Sequence, residues 1–405
     1  MTWTAGDLEI LQRIQDRVLW LSAYLVHYAN NIRPSVDGLK VGGHQASCAS
    51  AVSVMTALYG KFLRPGDRVA VKPHASPVFH AIQYLRGRLP EDALRRFRAF
   101  GGLQAYPSRT KDMDDVDYST GSVGLGAVVS LFGGLTRRYL MDHMGESGDR
   151  RYGAVVGDAE LDEGNIWEAV AEEQTRRLSN VLWIVDLNRQ SLDRVVPDGS
   201  AQRIRAMFDV NGWRVINLKY GSRLTRAFAR PGGERFQARI DDMPNAEYQA
   251  LLRLSGADVR KRLVETPEGG TDLALERLLG EYEDSQVHGL IRNLGGHDVP
   301  AILEAFREAE EERDRPGVIV AYTIKGWRLP FEGDPLNHSM LLTERQIETL
   351  RETLDIGVGE EFPGFEPGSP EWRLLRPDLR PPAAAPAPDL PAPPETLAES
   401  YSAVS

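Results

Sequence analysis

Two stretches decide how this chain folds: VVGDAELDEGNIWEA (155–169) and IVDLNRQSLD (184–193). The first leaves a short Val-rich run through Gly157-Asp158, crosses an acidic loop and enters a helix. The second ends the next strand, a branched apolar run, with Asn188. Short continuous Val/Ile runs separated by a helix are the pattern of parallel strands covered on both faces. In an open parallel sheet, ligands sit beyond the carboxyl ends of the strands. Asp158 and Asn188 are therefore expected side by side at one sheet edge, as two hard oxygen donors of the kind Mg²⁺ or Ca²⁺ accepts. The backbone carbonyl of Gln190 stands near enough in sequence to supply a third. N–H groups at the start of the following helix attract a phosphate. Either residue alone is equally a turn former. Both together, at the ends of consecutive strands, point to a divalent metal holding a diphosphate.

The same alternation continues outward. RYGAVVGD (151–158), NVLWIVDLN (180–188), WRVINLKY (213–220) and GVIVAYTIKG (317–326) read as strands, and DRVAVK (67–72) as a shorter one. Leu8, Leu11, Ile14, Val18, Leu21 and Leu25 recur at helical spacing over 8–30. Small apolar residues fill 46–59, as in a buried helix, and two helices separated by Pro90 are expected over 77–99. The glycine-rich turn TGSVGLG (120–126) opens a helix to about 140, and further helices are expected over 165–177 and 201–208. The fold class is α/β, a three-layer sandwich with a mainly parallel central sheet. Residues 1–375 read as one domain, with a charged helical insertion at about 221–300. Of 25 prolines, 11 fall between Pro363 and Pro394, so 376–405 reads as a Pro/Ala-rich flexible tail unable to bury a core.

Composition narrows the classes. The 405 residues carry 58 acidic and 48 basic side chains, a net charge of −10. That balance disfavours a nucleic-acid backbone binder. One cysteine, Cys48, excludes a disulfide framework and a multi-cysteine zinc site; in its apolar stretch it reads as a small core residue. The opening MTWTAGDLEI has no basic-then-apolar secretory pattern. Tyr118 to Thr136 is uncharged over 19 residues, close to a membrane span, but contains five glycines and five serine or threonine residues. It fits a glycine-rich loop and a buried helix better than a span. A cytoplasmic enzyme with no membrane contact is the expected class.

Eight blocks carry a resemblance: VGGHQASCASA, FRAFGGLQAYPSR, YSTGSVGLGAV, GDAELDEGNIWEA, DLNRQSLD, NGWRVINLKYGS, RNLGGHD and YTIKGW, in that order. Together they resemble the amino-terminal, diphosphate-binding domain of the thiamine-diphosphate-dependent family that includes the homodimeric pyruvate dehydrogenase decarboxylating component, with transketolase more distant. The likeness covers roughly 8–375. The loop GSVGLG is GxxGxG rather than the dinucleotide GxGxxG. The resemblance implies thiamine diphosphate with Mg²⁺ (or Ca²⁺) as cofactors. It places Asp158, Asn188 and the Gln190 carbonyl on the metal, and Gly157, Ala159 and Glu160 in the loop whose backbone meets the diphosphate. Gly121, Ser122 and Val123 fall at the turn that contacts the aminopyrimidine. His44 and His74 match histidines facing the thiazolium and diphosphate, Tyr106 an active-site tyrosine, and His338 the histidine of a mobile loop closing over substrate. His27, His80, His143 and His288 read as ordinary surface or core residues, and His297 has no assigned role. Ala159 departs from the family glycine; a positive φ there brings strain of about 1 kcal/mol or more.

In the resembled family, the glutamate that activates the aminopyrimidine lies on a later, pyrimidine-binding domain. The expected partner is therefore a second subunit with the pyrimidine-binding and carboxyl-terminal domains, as a heterotetramer of two copies each. The leading function is cleavage of a C–C bond beside a carbonyl in a 2-oxo acid such as pyruvate, with transfer of the two-carbon unit. Transketolase-type transfer from a ketose phosphate to an aldose is the close alternative, a lipoyl group or carrier-protein thiol being other acceptors. A non-catalytic regulatory subunit is the alternative of another class.

Overall fold

The computed structural model describes residues 2–35, 38–148 and 150–375; the Pro/Ala-rich stretch 376–405 lies outside the described residues. Strands β1 (Arg68–Val71), β2 (Tyr152–Gly157), β3 (Val181–Leu187), β6 (Arg214–Leu218) and β7 (Gly317–Tyr322) form one sheet in the order β1-β2-β3-β7-β6. Every pairing in it is parallel. All seven residues of β3 are buried, as a central strand covered on both faces requires. A two-residue hairpin, β4 (Gln190–Ser191) and β5 (Arg194–Val195), follows β3; its register is too short to leave an alternation in the sequence.

Helices surround the sheet. Before β2 come α1 (Ala5–His27), α2 (Gln45–Ala57), α3 (Ser76–Leu85), α4 (Glu91–Arg95) and α5 (Leu125–Met144). Between β2 and β6 lie α6 (Gly164–Ala171) and α7 (Ser200–Val210). The helix expected over 165–177 stops at Ala171 and resumes as a 3₁₀ turn at Glu173–Thr175. Between β6 and β7 the chain makes α8 (Ser222–Phe228), α9 (Gly233–Asp241), α10 (Asn245–Leu251), α11 (Gly256–Val264), α12 (Leu273–Leu279), α13 (Asp284–Ile291) and α14 (Val299–Glu311). After β7 come α15 (Glu344–Thr353) and α16 (Pro370–Leu375).

Local chemistry explains the boundaries that matter. Thr4 and Asp7 form a reciprocal capping box at the start of α1, whose Leu11, Ile14, Val18, Leu21 and Leu25 are buried. Every residue of α2 is buried, as its small-residue composition requires. Behind β3, Trp183 packs on Trp213 at 4.7 Å, Trp213 on Phe208 at 5.3 Å, and the Trp183 indole donates to Ser130 Oγ at 3.1 Å. This aromatic block fixes β3, and with it the residues that leave its carboxyl end. Among the described residues no helix is long and apolar enough to cross a membrane. One expectation fails: the helix opened by the glycine-rich turn is buried on one face only. Gly126, Ala127, Ser130, Leu131 and Gly134 of α5 face inward, while Leu125, Val129 and Phe132 are exposed.

Candidate active site

The register brings four strand ends together. Gly157 of β2 pairs with Asp186 of β3, Leu187 pairs with Tyr322 of β7, and Val71 of β1 pairs with Val155. Asp158, Asn188, Thr323 to Lys325, and Lys72 to His74 therefore emerge along one edge.

Asp158 opens a 3₁₀ turn (Asp158–Asp162). Its Oδ2 accepts the Arg189 N–H at 2.8 Å, so the carboxylate sits against the loop after β3. Arg189 adopts a left-handed φ of 63°, uncommon for a non-glycine residue and a frequent mark of a functional turn. On either side of it, Asn188 Oδ1 accepts the Gln190 N–H at 3.1 Å, and Gln190 enters β4. The loop is gripped from α10: Gln249 Nε2 donates to the Asn188 carbonyl at 3.2 Å, and Gln190 Nε2 donates to Gln249 Oε1 at 3.3 Å. Burial and the nearby Asp186 push the Asp158 carboxyl up to about 7. One carboxylate, one side-chain amide and one backbone carbonyl make a hard-oxygen donor set that fits Mg²⁺ or Ca²⁺.

Beneath the edge lies a buried charged network. Asp186 pairs with the Lys72 ammonium and accepts from the hydroxyls of Ser50, at 2.6 Å, and Thr323. Burial alone raises such a carboxyl; the Lys72 charge and the hydroxyl donors outweigh it and hold Asp186 below the usual carboxylate range. Glu160 ties two turns together, accepting from Gly157 N–H at 2.7 Å and Gly124 N–H at 3.2 Å. Those two amides are therefore already engaged by a side chain. Gly124 has φ 81°, and a Cβ there would stand 2.8 Å from Asn165 Oδ1, so glycine is required on both counts. Ala159 is exposed and is not among the residues with positive φ; no left-handed strain attaches to it.

The three motif histidines converge from distant parts of the chain. His44 immediately precedes α2, His74 lies in the 3₁₀ turn Pro73–Ala75 after β1, and His338 lies in the segment after β7. The His44 and His74 rings stack at 3.9 Å, and His338 lies 4.9 Å from His44 and 5.4 Å from His74. Tyr106 stands 5.9 Å from His74. Burial, then the other rings and lysines, lowers His44 to about 4 and His74 to about 2, and burial with Lys325 lowers His338. All three are neutral at pH 7, so each offers one ring donor and one ring acceptor. The segment carrying His338 is held closely: Asn337 is buried and donates to the carbonyls of Lys325 and Phe331, both at 3.2 Å, and Leu342 N–H donates to Gln45 Oε1 at 2.8 Å.

These groups border a cavity of about 440 Å³. Its wall includes His74, Tyr106, Gly121, Val123, Asp158 and Asn188, as well as Gly157, Ala159, Glu160, Gln190 and His338. Ser122 is exposed and outside the wall, and His44 reaches the site through its stack on His74.

Sequence reasoning passed over three residues here: Lys72, Asp186 and Lys325. Lys325 is 2% exposed and lines the cavity, yet among the described residues it makes no ion pair. Its Nζ donates to the Leu192 carbonyl at 2.9 Å and lies 3.4 Å from His338 Nδ1. Burial lowers it to about 8. A signal was present: a lysine closing each of two apolar strands, in DRVAVK and YTIKG, breaks the burial rule. The remaining histidines are structural where buried. His80 pairs with Asp114 at 2.8 Å, and His297 stacks on Trp327 at 4.5 Å and accepts the Ile324 N–H. Cys48 is buried, its thiol on the His74 carbonyl and pushed up to about 12 by burial; it is a core residue.

Comparison with known proteins agrees with this layout. Residues 41–229 match the family model of the transketolase thiamine diphosphate binding domain. The pyruvate dehydrogenase E1 component of Cupriavidus necator is 29% identical over 392 residues, spanning 92% of this chain and 42% of that protein. The pyruvate dehydrogenase E1 component of Escherichia coli K12 is 27% identical over 364 residues, spanning 86% and 40%. The chain thus spans about 42% of the length of the first of these relatives. Among solved structures, a transketolase from Pichia stipitis superposes with a TM-score of 0.62 at 16% identity, covering 90% of this chain and 43% of that one. Transketolase from Campylobacter jejuni gives 0.60 at 17% identity, with 91% and 46% covered. At that identity these two establish the fold. Matched family model, strand order and strand-end residues converge: residues 41–229 are similar to the transketolase thiamine diphosphate binding domain, and the chain is similar to the corresponding part of pyruvate dehydrogenase E1 components.

Proposed function

We propose that this chain is the diphosphate-binding subunit of a two-component thiamine-diphosphate enzyme that cleaves a C–C bond beside the carbonyl of a 2-oxo acid such as pyruvate and transfers the two-carbon unit. The observation that carries the reading is the pairing of Asp158 and Asn188 at adjacent strand ends, on the wall of a cavity closed by neutral histidines. Residues 1–375 act as one domain with 221–300 as its helical insertion. Asp158, the Asn188 amide and the Gln190 carbonyl hold Mg²⁺ (or Ca²⁺). Thiamine diphosphate, when bound, supplies a nucleophilic carbon and an electron sink for the bond that breaks. The chain's own residues do the rest. His44 and His74, held neutral by burial, donate hydrogen bonds without adding a fixed charge. Gly121 and Val123 form the wall nearest the aminopyrimidine, with Ser122 beside them. Tyr106 and His338 border the substrate space, where His338 is placed to give or take a proton at a substrate oxygen. The Lys325 ammonium, which makes no ion pair among the described residues, supports an anionic substrate.

The other wall of the site comes from a second subunit with the pyrimidine-binding and carboxyl-terminal domains, in a heterotetramer of two copies each. The test is to purify this chain with the polypeptide of the same genome that carries the pyrimidine-binding domain, then assay turnover with Mg²⁺ and thiamine diphosphate. Pyruvate decarboxylation that needs both chains and is lost in Asp158→Ala supports the reading. Turnover of xylulose 5-phosphate in its place makes the enzyme a ketol transferase. A complex that binds the cofactor and turns over neither makes this chain a regulatory subunit.

A further inference from the structure

Between α4 and α5 the chain makes neither helix nor strand, so its backbone groups depend on side chains for partners. The run DMDDVD (112–117) has the composition of a solvated acidic stretch. Three of its four aspartates are bonded inward instead. Asp117 accepts from Arg68 Nη1 at 2.7 Å and from the Val69 N–H at 2.9 Å, both on β1. Asp114 pairs with the buried His80 of α3 at 2.8 Å. Those two tie the later half of the segment to the sheet and to α3. Asp112 turns back on the segment itself.

Asp112 Oδ1 accepts the Gln104 N–H and Oδ2 accepts the Ser108 N–H, both at 2.7 Å, the short end of the range that charge-assisted bonds occupy. Four residues of extended chain span about 13 Å, whereas the two oxygens of a carboxylate share one carbon. The chain from 104 to 108 must therefore arch, and Tyr106 is its middle residue. Ser76 Oγ donates to the Gln104 carbonyl at 3.3 Å, and the Pro107 carbonyl accepts the Thr120 N–H at 3.0 Å. The Tyr106 side of the arch meets the cavity, with the ring 5.9 Å from His74. Arg109 and Lys111, on the turn that leads back to Asp112, are exposed.

We propose that Asp112 is the positioning residue of Tyr106: its carboxylate clasps the amides two residues before and two residues after the tyrosine, and so fixes the apex of the arch on the cavity wall. This rests on the function proposed above, in which Tyr106 borders the substrate space. Asp112 is not itself part of the cavity wall, so it acts through Tyr106 and not on substrate. A hydroxyl carried on a clasped arch is in place before substrate enters, and a displacement of about 1 Å at such a group costs about a hundredfold in rate. An amide at 112 offers one acceptor oxygen where the carboxylate offers two, so asparagine holds one arm of the arch and releases the other.

The test uses the full chain and, for kinetics, the mixed complex with the pyrimidine-binding polypeptide. On the chain, tryptic cleavage after Arg109 and Lys111 and tetranitromethane nitration of Tyr106 are followed by mass spectrometry. Both quicken by about tenfold or more in Asp112→Ala, quicken less in Asp112→Asn, and keep wild-type rates in Thr110→Ala at an exposed neighbouring site. In the mixed complex, Asp112→Ala and Tyr106→Phe each lower kcat by about tenfold or more while cofactor affinity stays near wild type. Asp112→Asn restores part of that loss, and the double variant is no slower than Tyr106→Phe alone, because the two act as one unit. Unchanged cleavage and nitration in Asp112→Ala overturn the proposal. Losses that multiply in the double variant overturn it too, and make Asp112 a general support of the loop. If Asp112→Ala does not fold, Asp112→Asn carries every comparison. A mixed complex that turns over neither pyruvate nor xylulose 5-phosphate overturns the function proposed above, and the cleavage and nitration rates of the chain then decide the clasp alone.

Discussion

Asp186→Asn isolates the buried charge beneath the site. The substitution keeps the side chain's shape and its capacity to bond Ser50 and Thr323, but removes the negative charge opposite Lys72. Both residues are almost wholly buried, at 1% and 5% exposure, so water cannot replace the lost partner. Breaking a buried ion pair from one side costs about 3–5 kcal/mol. Urea unfolding followed by the fluorescence of core tryptophans such as Trp183 and Trp213 gives the free energies. The expected loss relative to wild type is about 3–5 kcal/mol at pH 7. Adding Lys72→Met to Asp186→Asn removes the orphan charge and is expected to recover at least half the loss. A cost below about 1 kcal/mol at pH 7, or no recovery in the double variant, refutes the reasoning.

Four further outcomes are expected. In the assembled enzyme, Asp158→Ala weakens thiamine diphosphate binding in the presence of Mg²⁺ by more than about tenfold, about 1.4 kcal/mol, by calorimetric titration. His338→Ala lowers turnover by about a hundredfold or more while cofactor affinity stays near wild type; equal loss of both makes the residue structural. Because burial lowers Lys325 to about 8, the KM for a 2-oxo acid rises as pH passes upward through 8 and the ammonium is lost; Lys325→Met removes that rise and starts from a high KM. Gln249→Ala cuts the two bonds to the 188–190 loop and raises the Mg²⁺ concentration needed for half-maximal cofactor binding several-fold, with kcat at saturating Mg²⁺ little changed.

Legibility in the sequence follows the range of the interaction. The five sheet strands were readable because each is a short continuous apolar run, and Asp158 and Asn188 were readable because they end two of them. The β4–β5 hairpin was not: two residues per strand leave no period. Lys72 and Asp186 are 114 positions apart, and Gln249 grips residues 59 and 61 positions earlier. Such pairs leave no spacing signal; they are made by strand order, which the chain crosses from β3 to β6 and back to β7. The outer face of α5 was misread for a related reason. An uncharged segment rich in glycine suits a buried helix, and composition cannot say whether the same chain or another surface buries each side.

That misreading bears on how the site is built. One wall is held several times over: Glu160 joins the Gly124 and Gly157 turns, Gln249 grips the loop after β3, Asp186 anchors Lys72, and Asn337 and Gln45 pin the segment carrying His338. Each of these side chains is buried or nearly so and bonded to backbone or opposite charge, so donors and ligands are positioned before any cofactor arrives, which is the condition for strong electrostatic action at low reorganisation cost. The opposite border, the outer face from Val123 along α5, exposes apolar side chains instead. Rigidity on one side and an unfilled apolar stripe on the other assign different tasks to the two walls. On the proposed function, the first is the wall for metal and diphosphate, and the second is the one left for a completing surface. On this argument the Asp158→Ala and Phe132→Glu variants separate cleanly: the former loses the cofactor and keeps the mixed complex, the latter loses the complex while the 188–190 loop keeps its bonds. A single variant that abolished both would show that the walls form only together.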